Sequence, residues 1–587
     1  MEVDSEIIQS QNFFGVADPI YRFVQLPEIV RDVVDHPLFQ RLRHIKQLGV
    51  CRLVYPGATH CRFSHSIGTA YLGRQFVQSL MERQPRLGIN ERDVLCVTLA
   101  GLLHDLGHPC FSHMFEDFLH CLGDRLEEEA EAKGRSLTEE EKALVKRYKE
   151  WSHEDATRAL LKPLFQDLSA QLEKAGLLPE DLVCIGELID PPKRQLQALA
   201  DAEKLATEWP MKGRPVEKAW MYEIVSNWRT GIDVDKFDYI RRDAHYVGIV
   251  RQYHHERYMA GALVVKHQGV STISVPDKDT AEIREGLMQL RKHFHRSVYQ
   301  HKTVKKLEIH MIDLLTDLNK VVWIRGKDNQ KVRMSDAALN VWDDHVAYKK
   351  LTDTFVESLL LDPEDQKYED LSRSYHDHLM QRNLARNIGI VDFIRNFDQF
   401  KNEKTVTEGI LAKYKTLAEA EPDEKFRLVP KREIRVKFGS YHYGMGKNNP
   451  SEKIVFRHKN GKIESKTDPD GIPITIQMFV FWTPPIKDLQ DAKTLQRLTK
   501  ACHEYLNLLV SEKTDPDSAQ KSPGANTTTR TPAADAAVAE ATGAAAAAAT
   551  VAATATMDNA TTPEKPAEPA PKKRRTLRMH SSMPFDP

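Results

Sequence analysis

The 587 residues contain only seven cysteines (Cys51, Cys61, Cys96, Cys110, Cys121, Cys184 and Cys502), scattered and never spaced as CxxC. An odd, dispersed set argues against a disulfide framework and against a zinc ribbon. No run approaches the roughly 20 apolar residues that a membrane-spanning helix needs. The acidic, polar stretch 1–11 is not built like a signal peptide. Net charge is nearly absent as well, with 83 Lys and Arg against 84 Asp and Glu. Bulk charge therefore does not mark a nucleic-acid binder, although it leaves room for a local basic patch. Together these absences lead to the expectation of a soluble, reduced, intracellular protein with no membrane partner.

What is present is length and helical periodicity. A single core rarely grows past about 250–300 residues, so a large domain with an appended lobe is expected. Apolar residues recur at helical spacing in 94–103, 281–299 and 307–318. Strand-like runs are fewer: 263–265, 272–275, 433–438 and 474–482, the last after the turn-rich stretch 468–473. The expected organisation is a short N-terminal segment (1–17), a helical catalytic domain (18–310), a helical extension with a smaller α+β C-terminal lobe (311–510), and a tail (511–587). The tail is rich in Ala, Thr and Pro, includes the alanine run 544–549, and is expected to be disordered. It carries the basic cluster Lys572-Lys573-Arg574-Arg575, which reads either as a nuclear import signal or as a solvated charge run. Ser522-Pro523, Thr531-Pro532 and Thr562-Pro563 read either as proline-directed phosphorylation sites or as incidental pairs.

Residues 98–113 read TLAGLLHDLGHPCFSH. An apolar helix runs into His104-Asp105, with His108 one turn later and His113 beyond. An imidazole and a carboxylate side by side can share one cation, and a mixed N/O set without thiolates suits Fe, Mn, Zn, Ni or Mg. A lone histidine here would read as a core residue. Three histidines and an aspartate would be costly to bury without partners or a metal. Arg62 and His65 lie three residues apart and so share a helix face. His65 is a candidate third ligand, and Arg62 a candidate phosphate ligand. A distant carboxylate is needed as well. Asp235, Tyr239 and Asp243 fall at i, i+4 and i+8, and so do Arg291, His295 and Tyr299. Judged alone, either stripe would read as an ordinary solvated helix face.

The spacing of His65, His104-Asp105 and Asp235 resembles that of the HD phosphohydrolase superfamily. Longer motifs narrow the resemblance: FQRLRHIKQLG (39–49), RFSH (62–65), LHDLGHPCFSHMF (103–115), YEIVSN (222–227) and GIDVDKFDY (231–239). They are similar to the family of SAM-and-HD-domain deoxynucleoside triphosphate triphosphohydrolases. YGMGKNNP (443–450) is a weaker echo in the C-terminal lobe.

The resemblance implies a mainly α fold and hydrolysis of deoxynucleoside triphosphates to deoxynucleoside and triphosphate, dependent on a divalent cation (Fe, Mn, Zn or Mg). It implies that His65, His104, Asp105 and Asp235 hold the metal. His113 would be the general acid for the departing 5′ oxygen, oriented by Glu116. His108 would face the phosphates, with His153, next to Glu154, near the metal. Arg62, Lys236, Tyr239 and Arg291 would hold the triphosphate, and Gln47 and Asp243 the 3′-hydroxyl. Leu48 and Tyr299 would crowd the 2′ position, against ribose.

The resemblance further implies homo-oligomers up to tetramers, activated by GTP and dNTP bound between subunits. Asp35, Gln40 and Arg43 match guanine-reading positions, with Gln40 and Arg43 on one helix face. Val54, Arg257, His301 and Lys302 match parts of a neighbouring deoxynucleotide site. The chain departs from the family at four places. Phe14 stands for a phosphate-binding Lys, Ala17 for an Asn, Ser297 for an Arg and Tyr55 for a Phe, so weaker or different activation is expected. Animal members commonly carry a SAM domain. Only 17 residues precede Asp18, so none is expected here. Two other readings remain: a different HD phosphohydrolase, such as a nucleotidase or phosphodiesterase, and a single-stranded nucleic-acid-binding protein using exposed basic pairs such as Arg241-Arg242 or Lys305-Lys306.

Overall fold

The apolar periodicity of the first half becomes a set of helices packed on two central ones. The computed structural model describes residues 13–511 apart from 199–201, 252, 362, 364, 394–402, 421–425, 446–449 and 466–474. The chain divides into units 1–529 and 530–587. The expected disordered tail, its Ser/Thr-Pro pairs and the basic cluster lie outside the described residues, as does the 446–449 part of the YGMGKNNP motif.

Strands β1 (Phe13–Asp18) and β2 (Arg22–Pro27) form an antiparallel hairpin that leads into α1 (Glu28–Asp35). The central pair follows: α2 (Arg62–Arg83) and α3 (Glu91–Leu103). α3 starts with a capping box in which Asn90 and Asp93 satisfy each other's backbone amides, and from Val94 to Leu103 all but Leu95 are buried. α6 (Val234–Val247) packs on α2, and α4 (Met114–Ala132) and α5 (His153–Asp167) contribute to the same core, which runs continuously through Leu72, Phe76, Leu99, Leu103, Phe115, Leu160 and Phe237.

The segment expected as helix over 281–299 is helical but not uniform. Wide π turns at Glu282–Met288 and His295–Tyr299 flank the α-helical α7 (Gln289–Phe294). Such turns are rare and concentrate near functional sites. The long α8 (Lys302–Val321) contains the expected 307–318 helix.

Strands β3 (Leu263–His267) and β4 (Val270–Pro276) extend the two short runs read from the sequence. A small hairpin, β5 (Ile324–Arg325) and β6 (Lys331–Val332), precedes α9 (Asp353–Leu361).

The smaller lobe is a three-stranded antiparallel sheet in the order β7 (Arg386–Phe393), β11 (Thr475–Trp482), β8 (Ile434–Tyr441), covered by α10 (Glu403–Ala420) and α11 (Ala492–Ser511). Alternation along β11 explains its central place. Met478, Val480 and Trp482 face the lobe's helices, while Phe479 and Phe481 pack on Ile309 and Ala385. Strands β9 (Val455–Arg457) and β10 (Ile463–Ser465) join the other sheet, where β9 lies parallel to β4. Residues of the C-terminal part therefore complete a sheet begun in the catalytic part, a pairing with no sequence signal of its own. The described residues are mainly α, with short hairpins and a mixed sheet in the helical part and a three-stranded sheet in the smaller lobe.

Candidate metal centre and active site

His65 sits in the first turn of α2 and is fully buried. Its Nδ1 lies 2.7 Å from Asp238 Oδ2, so that carboxylate takes the Nδ1–H and leaves the Nε2 lone pair pointing inward. His104 caps the C-terminal end of α3, where its Nδ1 donates to the Gly101 carbonyl at 2.8 Å, again freeing Nε2. The two Nε2 atoms are 3.1 Å apart. Asp235, in the first turn of α6, brings Oδ1 to 3.1 Å from His65 and 3.4 Å from His104. Asp105 approaches His65 with Oδ2 (3.5 Å) and His104 with Oδ1 (3.4 Å). All four predicted ligands thus converge, and the donor atoms of His65, His104 and Asp235 lie within 4.8 Å of one another. Two imidazole nitrogens and two carboxylates are a hard-to-borderline donor set that fits a divalent cation of the Fe, Mn, Zn or Mg kind.

Electrostatics agrees with that reading. Burial alone would disfavour the charged form of His65, yet the carboxylates of Asp235 and Asp238, which accept from its ring nitrogens, push its pKa up to about 10. Burial would raise the Asp105 carboxyl, but Arg62 and the neighbouring histidines hold it well below the ordinary range. Asp235 is held well below the ordinary range by His104 and His65, against burial. The pocket stabilises negative ligand charge, as a cation site requires.

A second constellation flanks the first. His108 and His153 stack with ring centres 3.8 Å apart, and His113 meets both edge-on. Glu116 lies 2.7 Å from His153 Nδ1 and 3.5 Å from His113 Nδ1. The carboxylate predicted to orient His113 therefore serves two histidines and is nearer to His153. These two imidazoles hold Glu116 below the ordinary carboxylate range despite burial. His108 is fully buried; its Nε2 lies 3.3 Å from Asp105 Oδ1, and its Nδ1 has no hydrogen-bond partner. Burial, then Arg62 and His153, push its pKa well down, so it is neutral. The His113 side chain is 68% exposed, the openness a proton donor to an incoming substrate needs.

His113 is delivered by a loop in which two non-glycine residues, Phe111 (φ 60°) and Ser112 (φ 58°), adopt left-handed backbone. Surrounding structure must hold such a conformation in place. Asp353 of α9 does so, accepting from the backbone amides of Phe111 (2.6 Å) and Lys46 (2.9 Å). Arg41 adds donations to the carbonyls of Leu106 and His108, both at 2.7 Å.

The predicted substrate groups face the same space. Arg62 pairs with Asp105 at 2.5 Å and donates to Ser112 and to the Gln47 carbonyl. Lys236 contacts Asp233 at 3.2 Å, and Arg291 donates to the Tyr239 hydroxyl at 3.1 Å. The smaller lobe reaches in beside them: Arg291 donates to the His442 carbonyl at 2.8 Å. Gly444 follows, with φ +113°, and a Cβ there would lie 3.3 Å from Lys236 Cε and 3.7 Å from Arg291 Nε. The weak YGMGKNNP echo therefore begins beside Lys236 and Arg291. Asp243 accepts from Tyr299 (2.5 Å) and from His60 Nε2 (2.7 Å), while the buried Gln47 Oε1 has no partner. Leu48 is half-buried at the start of the next helical turn. His295, the middle residue of the Arg291 stripe, lies between Tyr299 and His442.

The positions matched to regulatory nucleotides are more dispersed. Gln40 accepts from Arg43 at 2.8 Å, and Asp35 is exposed at the end of α1. Val54 adjoins Tyr55, whose hydroxyl donates to the Ser297 carbonyl at 2.5 Å and whose ring lies 6.2 Å from His301. His301 caps α8 beside Lys302. Arg257 pairs with Asp279. Phe14 and Ala17 lie on β1.

Sequence reading missed Asp238, Arg242, His60, Asp353 and His442. Asp238 and Arg242 are an i, i+4 pair, which from sequence alone reads as a surface ion pair. In the fold both are buried: Arg242 binds Asp238 twice at 2.9 Å and Asp18 at 2.9 Å, linking the candidate ligand His65 to the β1–β2 hairpin. This also corrects the reading of the basic pairs as a strand-binding surface. Arg242 is enclosed, Arg241 pairs with Glu256, Lys305 pairs with Glu308, and Lys306 lies over Phe481.

A family model described as the HD domain matches residues 62–190. The chain is 34% identical over 446 residues to the deoxynucleoside triphosphate triphosphohydrolase SAMHD1 of Danio rerio, covering 76% of this chain and 65% of that protein. It is 34% identical over 444 residues to the protein of that name in Homo sapiens, covering 75% of this chain and 64% of the relative. With the one from Bos taurus it shares 33% identity over 457 residues, 76% of this chain and 69% of the relative. It thus spans a little under two thirds of the Danio rerio and Homo sapiens proteins. Among the described residues no helix is long and apolar enough to cross a membrane. The extent of this match to the Bos taurus protein, together with the HD domain around the converging ligands, places the chain in the SAMHD1 family of deoxynucleoside triphosphate triphosphohydrolases.

Proposed function

We propose that the chain hydrolyses deoxynucleoside triphosphates to deoxynucleoside and inorganic triphosphate. The observation that carries this is the convergence of His65, His104, Asp105 and Asp235 beside three cations, Arg62, Lys236 and Arg291. His65, His104, Asp105 and Asp235 would hold a divalent cation, which would supply Lewis acidity and an activated water at neutral pH. Three cations suit a triphosphate better than a monophosphate, which speaks against a nucleotidase. Arg62 and Arg291 orient the phosphates and stabilise charge that develops on their oxygens. His113, exposed and backed by Glu116, is placed to give a proton to the leaving 5′ oxygen. Neutral His108 lines the same wall. Asp243 and the unpaired side-chain Oε1 of Gln47 are the polar groups available to a sugar hydroxyl. Tyr299, tethered to Asp243, and Leu48 supply bulk against a 2′ substituent.

We further infer that GTP and dNTP activate the enzyme and that it assembles as a homo-oligomer up to a tetramer. This rests on family membership and on the matching residues Asp35, Gln40, Arg43, Val54, Arg257, His301 and Lys302. Departures at Phe14, Ala17 and Ser297 weaken phosphate binding in that pocket. Each lost charge-assisted hydrogen bond is worth about 1.5–3 kcal/mol. The cluster Lys572-Lys573-Arg574-Arg575 is the basis for proposing nuclear import.

The test is to incubate each dNTP with purified protein and Mg plus Fe or Mn, with and without GTP, and to resolve the products by anion exchange. Deoxynucleoside with tripolyphosphate is expected. Monophosphate with pyrophosphate, or orthophosphate alone, overturns the reading. His113→Ala should lower turnover about 10²–10⁴-fold with metal content unchanged.

A further inference from the structure

The side chain of His60 has no exposure to solvent, yet it joins two of the groups proposed above to receive the sugar. Its Nε2 lies 2.7 Å from Asp243 Oδ1, and its backbone carbonyl accepts from the Gln47 amide at 3.0 Å. The second contact belongs to a short antiparallel ladder, in which Lys46 is bridged to Cys61 and the Arg62 amide donates to the Ile45 carbonyl at 3.0 Å. The imidazole stacks on Tyr246 of α6, with ring centres 4.5 Å apart and planes inclined by 20°. The turn before it is pressed on the same helix, since a Cβ at Gly57 would lie 2.1 Å from the Tyr246 carbonyl oxygen. Backbone pairing therefore fixes where His60 sits, and Tyr246 fixes the plane of its ring.

Among the described residues, His60 Nδ1 is buried without a hydrogen-bond partner. A buried N–H left unpaired is rarer than an unused lone pair. The ring therefore carries its proton on Nε2 and donates it to Asp243. The other oxygen of that carboxylate, Oδ2, accepts from the Tyr299 hydroxyl at 2.5 Å. Each carboxylate oxygen has about two lone-pair sites, so each keeps room for an incoming hydroxyl. His60 and Tyr299 fix the rotation of the carboxylate, and so the direction of those free sites. The carboxylate in turn fixes the Tyr299 ring. We propose that His60 is a positioning residue for sugar recognition: through Asp243 it sets both the hold on the 3′-hydroxyl and the place of Tyr299 against a 2′-hydroxyl. The inference rests on the sugar-facing roles proposed above for Gln47, Asp243 and Tyr299. It adds a residue that touches no substrate and acts through one that does.

The test uses the full chain with Mn at a fixed GTP concentration. Consumption of dCTP, CTP and 2′,3′-dideoxy-CTP is followed separately by anion exchange, and kcat/KM is compared between substrates. His60→Leu keeps bulk on Tyr246 and removes the donor. It should lower the preference for dCTP over CTP, and for dCTP over dideoxy-CTP, each by about 10–150-fold, the loss of one hydrogen bond to a charged group. His60→Gln returns an N–H toward Asp243 and should restore most of both preferences. Metal content should match the wild type in both variants. If His60→Leu does not fold, His60→Asn takes its place, because its shorter amide stops short of Asp243. The proposal is overturned if the donor-less variant keeps both preferences, or if it slows all three substrates by one common factor, which is the mark of a packing role. It also fails if His60→Gln is as impaired as His60→Leu, or if the wild type does not favour dCTP over the other two. Loss of nucleotide is the readout, so release of pyrophosphate in place of triphosphate would refute the reaction proposed above and leave this test intact.

Discussion

Replacing Asp238 by Asn tests the reading of the metal centre most directly, because it changes no proposed ligand. Asp238 accepts one hydrogen bond from His65 (2.7 Å) and two from Arg242 (both 2.9 Å), with no exposure to solvent. Asparagine keeps one acceptor oxygen and turns an NH2 group toward either His65 Nδ1 or Arg242, so one donor faces another. Two consequences follow. Removing one side of a buried ion pair costs about 3–5 kcal/mol, here moderated because Arg242 keeps Asp18 at 2.9 Å. Loss of the group that fixes a ligand's tautomer and ring angle typically costs 10–100-fold in metal affinity. The assay is metal per subunit against a graded chelator, with thermal unfolding of the same samples. Asp18→Asn is the control: it loosens the far end of the same chain, so it should lower the melting temperature while leaving metal affinity within about twofold. If Asp238→Asn holds metal as tightly as the wild type, the orienting role is wrong. If Asp18→Asn loses as much metal as Asp238→Asn, the chain acts as a structural unit and not through His65.

Other outcomes follow from the same geometry. Gly444→Ala should raise KM for dNTP about 5–100-fold with metal content unchanged. It puts a Cβ against Lys236 and Arg291 at a backbone φ of +113°, and strain of that kind costs about 1–3 kcal/mol; an unaltered KM removes the smaller lobe from the phosphate wall. Asp353 gives a pH signature. Burial pushes its carboxyl up to about 7, against about 4 in the unfolded chain. Between these values the folded state holds a proton that the unfolded state has lost, so this group's contribution to stability falls as pH rises through the window and is flat above it. The full shift corresponds to at most about 4 kcal/mol. The melting temperature of Asp353→Asn relative to wild type should therefore rise between pH 5 and pH 8, and a difference independent of pH refutes the assignment.

Much of the chemistry was legible because it lies in short, chemically odd strings. An apolar helix that runs into His104-Asp105, with His108 and His113 close behind, has no cheap structural explanation, and the fold assembles these residues as the spacing suggested. Arg62 and His65 shared a helix face, whereas the stripe of Asp235, Tyr239 and Asp243, which alone reads as a solvated face, took its meaning from the family resemblance. Local periodicity also marked the long helices and four strand runs, since those elements bury one stripe or one face. Strand β7 and the β1–β2 hairpin went unread because their apolar runs are short and interrupted by polar residues and glycine.

What only the tertiary structure decided is which groups become each other's environment. Asp238 and Arg242 are an unremarked helix pair until α6 lies against α2, where Gly68 leaves the room: a Cβ there would fall 1.9 Å from Asp238 Oδ1. His60 meets Asp243 across 183 residues, and Asp353 holds a loop 242 residues earlier. Sharing of Glu116 between His113 and His153, the insertion of 442–444 beside Lys236 and Arg291, and the parallel pairing of β9 with β4 are equally non-local. Residue types and their phase along one helix follow from local chemistry, and the sequence carries them openly. Burial, tautomer and ion pairing depend on which distant surfaces are packed together, and those were settled only when the core closed.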